Sequence, residues 1–172
     1  PKFEKLLSNY ILRFGFEKTV LEIMYPFLEK IGILWLSGNI TPIQEHFISN
    51  LIRQKIIVAV DSIATTQDKD AEVAVLFLPE EELHEIGLLF YHYLAKSLNY
   101  RTYYLGQRVP MSDLIAVTKS LTPKHLITSI SLNKTEEEIG EFITQLSQKF
   151  PNSVVLVAGY AFHQYSGEMP KN

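Results

Sequence analysis

The stretch Glu82-Leu83-His84-Glu85-Ile86-Gly87 places a carboxylate two residues before an imidazole and a glycine three after it, just beyond the apolar run AEVAVLFLP. At that spacing Glu82 can accept a hydrogen from one ring nitrogen, fixing the tautomer and leaving the other nitrogen to ligate a metal. His84 is therefore a candidate metal ligand with Glu82 as its orienter, and Gly87 allows close approach of a backbone or a large planar ligand. The plainer alternative is an exposed histidine at the start of an acidic helix, where Glu80, Glu81 and Glu82 suit the positive end of the helix dipole. Small residues recur at the other expected strand ends: Gly106 after TYYL, Ser129 and Ser131 closing the third strand, and Ala158-Gly159 closing the fourth. Each alone is an ordinary turn residue. Together they would leave an open floor for a flat ligand.

A second group lies far upstream. Trp35 ends one helical segment and Glu45-His46 falls in the first turn of the next, so a tight turn would bring an aromatic plate, a carboxylate and an imidazole to one hairpin tip. Taken singly, a tryptophan is ordinarily core and a Glu-His pair on a first turn is ordinarily solvated. Taken together, they suit a lid over a ligand.

The elements that must position these residues divide the chain in two. Residues 1–62 place apolar side chains three and four apart throughout, predicting a bundle of four short helices. Pro26 lacks the N–H that a continuous helix needs, so the second helical segment is split there with Pro26 in a first turn. Gly38 can close the third helix, and Thr41-Pro42-Ile43-Gln44 has the form of a capping box that starts the fourth. Residues 63–71, IATTQDKDA, lose the periodicity and read as a linker. From 72 to 172 apolar runs (73–78, 102–106, 125–132 and 153–159) alternate with amphipathic segments (82–98, 111–121 and 134–149). Strands apolar on both faces, alternating with helices, predict an α/β domain with a parallel Rossmann-like or flavodoxin-like sheet. Ligands bind such sheets at the carboxyl ends of the strands where the strand order reverses, and His84 sits at such an end.

Composition narrows the class. The chain has 172 residues, 47% of them hydrophobic, enough for a sizeable core, and its formal net charge of −3 gives no basic excess for a nucleic-acid backbone. With no cysteine, disulfides, zinc ribbons and thiolate catalysis are excluded, and a cytoplasmic location is expected. No apolar run has membrane-spanning length and no signal-peptide pattern is present. The first residue, Pro1, points to a segment of a longer chain, and the sheet domain is expected to be short by a helix and a strand after YAFHQYSGEMPKN. No hydrolase triad, P-loop or nucleotide-binding glycine loop is found, so no enzymatic activity is expected.

The two groups of residues together resemble the C-terminal cobalamin-binding module of MerR-type, cobalamin-dependent, light-responsive transcriptional regulators. In the sheet half that family carries Asp-x-His-x-x-Gly, then Ser-x-Leu, then Gly-Gly. Here Glu82-x-His84-x-x-Gly87 is followed after 41 residues by Ser129-Ile130-Ser131 and after 26 more by Ala158-Gly159. The regulator signature Trp, nine residues, Glu-His is met by Trp35 and Glu45-His46. The resemblance implies cobalamin, as adenosylcobalamin, with His84 as the lower axial ligand of cobalt and Glu82 bonded to it. It implies that Ser129 and the backbone near Gly159 line a deep pocket for the displaced dimethylbenzimidazole tail, and that Trp35, Glu45 and His46 cover the upper face. It further implies a homo-oligomer whose assembly depends on the ligand, with DNA contacted only through an N-terminal domain outside this chain. Glu82 replaces the usual Asp, Ser131 a Leu and Ala158 a Gly, and Leu36 stands where light-sensing members have a second histidine. Two other readings share the fold: a corrinoid carrier for methyl transfer, and a cofactor-free interaction module.

Overall fold

The computed structural model describes residues 2–131 and 134–170. The chain divides into two compact units, Pro1–Ala59 and Val60–Asn172. The first is helical: α1 (Lys2–Phe14), α2 (Phe16–Thr19), a π-helical turn (Val20–Met24), α3 (Tyr25–Leu36) and most of α4 (Pro42–Ser62). Leu7, Val20, Met24, Ile31, Ile52 and Ile56 are buried in it, each worth about 1.5–3 kcal/mol of apolar burial. The rings of Phe3 and Phe27 meet at a tilt with centroids 4.8 Å apart, tying α1 to α3. Lys55 of α4 donates to Ser8 Oγ (3.3 Å) and lies 3.6 Å from Glu4, tying α4 to α1.

The split expected at Pro26 does not occur as a break. The residues that join α2, the π turn and α3 all keep right-handed helical backbone, with Pro26 in the first turn of α3. The proline ring would clash with the carbonyl four residues back in a regular helix, and the wider π turn just before it accommodates the ring. At the start of α4 the capping box is half made: the Thr41 N–H donates to Gln44 Oε1 at 2.8 Å. Residues 63–71 form neither helix nor strand.

The second unit runs β1 (Val73–Pro79), α5 (Ile86–Ser97), β2 (Arg101–Val109), α6 (Met111–Leu121), β3 (His125–Ser129), α7 (Glu136–Lys149), β4 (Val154–Ala158) and α8 (Tyr160–His163). Its sheet is parallel with order β2-β1-β3-β4, so the expected α/β architecture is borne out. Strand β1 is buried on both faces, as its unbroken apolar run requires. Val75 and Phe77 pack with Leu114 of α6 and Leu146 of α7, whereas Leu76 and Leu78 pack with Leu88 of α5. The order reverses between β1 and β3, and that switch point lies beside the loop carrying His84.

Three boundaries differ from expectation. Helix α5 starts at Ile86 rather than at 82, because the Glu82 carboxylate takes the Leu83 and His84 N–H groups itself and holds 80–85 as a loop. Gly106 is not at a strand exit: β2 continues to Val109, and Gly106, buried at φ 78°, is a bulge residue inside it. Strand β3 ends at Ser129, so Ser131 lies beyond it, and the expected continuation to Leu132 falls outside the described residues. Helix α7 begins at Glu136 behind a complete capping box of Thr135 and Glu138. The Thr135 backbone N–H, bonded to the Glu138 carboxylate, holds that group below the usual glutamate range.

Candidate functional site

Glu82 organises the loop after β1. Its side chain is only 1% exposed, and a carboxylate buried without partners costs several kcal/mol. Four N–H groups offset that cost. The Leu83 and His84 backbone N–H groups donate to Oε1 at 2.9 Å each, and the His84 ring contacts the same oxygen through Nδ1 at 2.7 Å. The Ser131 N–H donates to Oε2 at 2.6 Å. Since a carboxylate accepts, Nδ1 carries the hydrogen of that contact and Nε2 is the nitrogen suited to a metal. The imidazole is 65% exposed although its carboxylate is buried. The extra methylene of Glu82 relative to Asp thus reaches both the ring and the segment after β3, across the switch point. Among the described residues, no three His, Asp or Glu side chains gather as a metal cage. A metal at His84 would therefore bring its other ligands with it, as a metal macrocycle does.

The other motif residues of this unit converge here. Gly87, in the first turn of α5, faces Ser129, whose Oγ lies 4.0 Å from where a Cβ would be. Ala158 lines an apolar cavity of about 260 Å³ under α5 together with Ala74, Tyr91, Tyr100, Ile127 and Leu156. His125 also borders it; its buried Nδ1 has no hydrogen-bond partner among the described residues and lies 3.9 Å from the Glu72 carboxylate. Burial also pushes the Tyr91 hydroxyl up. Gly159, at φ 104°, has a backbone reason to be glycine: a Cβ would lie 2.3 Å from the Ile130 carbonyl oxygen, which accepts from the Ala161 N–H. A wider cleft of about 840 Å³ lies on the α6 and α7 side, lined by Leu83, Arg108, Met111, Lys134, Glu138 and Gln145.

In the helical unit, Trp35 lies in the last turn of α3, 47% exposed, among exposed Ile33, Leu34 and Leu36. Glu45 and His46 sit in the first turns of α4, where Glu45 Oε2 contacts His46 Nδ1 at 2.6 Å. The three residues thus flank the α3–α4 turn, with Ile43 and Phe47 also exposed beside the pair.

Sequence reading missed the residues that hold the His84 loop from the β2 side. Gln107 Nε2 donates to the Leu83 carbonyl at 2.7 Å, and the Tyr104 hydroxyl donates to the buried Glu85 carboxylate at 3.0 Å. Tyr104 in turn stacks on His92, whose pKa is lowered to about 4 by burial and then by the nearby Lys96 charge. A bulge-forming glycine in an expected strand was the only available signal for Gln107.

Residues 2–59 match the family model described as B12 binding domain. Over 161 residues, 94% of the chain, the sequence is 29% identical to the HTH-type transcriptional repressor CarH of Myxococcus xanthus. It spans 53% of that repressor's length. The fold is similar to that of the monomethylamine corrinoid protein of Methanosarcina barkeri, with a TM-score of 0.74 at 14% identity, covering 96% of this chain and 82% of that one. No helix among the described residues is long and apolar enough to cross a membrane. The resemblance borne by Trp35, Glu45-His46 and Glu82-x-His84 thus holds: residues 2–59 match the B12 binding domain family, within a chain similar over most of its length to a transcriptional repressor.

Proposed function

We propose that this chain is the cobalamin-binding sensory module of a cytoplasmic transcriptional regulator, non-enzymatic, and acting on DNA through another part of a longer protein. The observation that carries this reading is the Glu82–His84 pair at the switch point of the sheet, a buried carboxylate orienting an exposed imidazole. His84 Nε2 serves as the lower axial ligand of cobalt. Glu82 holds the ring, and Ser131 anchors Glu82 through its backbone. Ala158 lines the apolar cavity, which takes the dimethylbenzimidazole tail, with Gly87, Ser129 and Gly159 assigned to the same corrinoid site, while Trp35, Glu45 and His46 cover the upper face carrying the adenosyl group. Gly106 lies inside β2 rather than at its exit. When bound, the corrinoid supplies a cobalt–carbon bond and a large rigid surface that favours one arrangement of the module over another. Such a preference can drive homo-oligomer assembly only through differential affinity for the two arrangements.

The repressor reading is preferred to a corrinoid carrier because the identity to a repressor extends over 94% of the chain, whereas the likeness to a corrinoid protein is one of fold. The test is an absorption spectrum of protein mixed with adenosylcobalamin in the dark and freed of unbound ligand. Retained cobalamin with a shifted spectrum is expected, and His84→Ala should weaken retention by about tenfold or more. Equal retention by parent and variant would remove His84 from the reading, and no retention by either would leave a cofactor-free interaction module. Size-exclusion chromatography of the same samples should show larger species only with ligand.

A further inference from the structure

The loop bearing His84 is held from both sides. Toward β3, Glu81 pairs with Lys134 at 2.9 Å and Glu82 accepts from the Ser131 N–H. Toward β2, the Leu83 carbonyl accepts from Gln107 and the Glu85 carboxylate accepts from Tyr104. Glu81, Glu82, Leu83 and Glu85 are thus each tied to a neighbouring element through a side chain or carbonyl. The His84 side chain itself is 65% exposed.

The ties to β2 depend on an irregularity in that strand. Leu76 pairs with Tyr104, Phe77 with Gly106 and Pro79 with Val109, so β2 takes five residue steps where β1 takes three. The two extra residues are absorbed as bulges, with Gly106 at φ 78° and Arg108 at φ 56°. Arg108 holds a left-handed conformation that is strained for a non-glycine residue. Bulges bend a strand and re-aim its side chains. Here Gln107 lies between the two positive-φ residues and its amide reaches the loop that a regular strand would run past.

We propose that the bulged edge strand β2 is a bracket for the axial-ligand loop, with Gln107 and Tyr104 as positioning residues that set the direction of the His84 imidazole. This rests on the reading of His84 as a cobalt ligand. Neither residue touches cobalt. Gln107 acts on the peptide immediately before His84 and Tyr104 on the side chain immediately after it, so together they fix the backbone on both sides of the ligand. Glu82 sets the ring's tautomer; the bracket sets its aim.

The test uses Gln107→Ala, Tyr104→Phe and the double variant, with Gln107→Asn as the conservative change. Tyr104→Phe removes only the hydroxyl and keeps the ring that stacks on His92. In the protein without corrinoid, amide hydrogen exchange at residues 83–85 should accelerate about thirtyfold in the double variant, as expected when two hydrogen bonds of roughly 1 kcal/mol each are lost. Circular dichroism should be unchanged. Loaded with cob(II)alamin, the parent should show electron paramagnetic resonance splitting from one axial nitrogen, abolished in His84→Ala. In the double variant the nitrogen-coordinated fraction should fall by about tenfold, with Gln107→Asn nearer the parent. Unchanged exchange in the variants overturns the bracket whatever the corrinoid does. Faster exchange with an unchanged axial-nitrogen signature overturns its positioning role. A parent without a His84-dependent signature overturns the axial-ligand reading, and the bracket's role toward cobalt falls with it.

Discussion

The chain contains two carboxylate–imidazole pairs with almost the same contact and very different surroundings. Glu82 and His84 meet at 2.7 Å, Glu45 and His46 at 2.6 Å, and both imidazoles are mostly exposed. The carboxylates differ: Glu82 is 1% exposed and receives three backbone N–H groups besides the ring, whereas Glu45 is 28% exposed. An exposed pair of this kind contributes about 0–1 kcal/mol and competes with water. A buried carboxylate that holds four N–H groups cannot relax when one donor leaves. The same two residue types therefore make a fixed imidazole mount in the sheet unit and an adaptable contact in the helical unit.

The comparison can be broken most directly by deleting each carboxylate. Glu82→Ala should cost about 3 kcal/mol or more, because it strands buried N–H groups from two loops, and Glu45→Ala less than about 1 kcal/mol. Denaturant unfolding of the two variants would measure this, with Glu82→Asp as the milder change if Glu82→Ala does not fold. Equal costs would mean that burial does not separate the pairs.

His92 sharpens the contrast from the other side, being a partly buried histidine bonded to the Thr102 hydroxyl at 3.0 Å rather than to a carboxylate. Burial lowers its pKa from 6.5 to about 4, so the unfolded chain takes up a proton that the folded ring resists. Its contribution is intact above pH 6.5 and is lost as the pH falls through that window toward 4. The loss should be about 1–2 kcal/mol once solvent screening of the half-exposed ring is allowed for. Melting temperatures of parent and His92→Gln between pH 7 and 4 should show a shallower decline in the variant. The smallest effect is expected for the Glu45–His46 coupling itself. A double-mutant cycle should give about 0.5 kcal/mol or less, vanishing in 1 M salt, while the Glu82–His84 coupling persists.

Much of this was legible in the chain. The alternation of apolar strands with amphipathic helices gave the sheet, and a carboxylate two residues before a histidine at a strand exit identified the loop. What escaped has a common physical origin in partners distant in sequence. Nothing near Glu82 announces that its second oxygen meets the Ser131 N–H, 49 residues on. Gly106 looked like a strand end because the alternation fails there, but the failure marks a bulge within a longer strand. Nothing near Gly159 announces that the Ile130 carbonyl comes so close that a Cβ has no room there. Pro26 is read correctly as a first-turn residue, but periodicity does not reveal the π turn that joins its helix to the one before.

Strand β2 borders the sheet, since β1 is its one neighbour in the strand order. Such a border exposes a row of backbone donors and acceptors that can recruit a strand from another molecule. Two interruptions in nine residues, at Gly106 and Arg108, break that row, and a visiting chain could match its spacing only by bulging at the same places. The irregular border thus guards the protein against edge-to-edge aggregation.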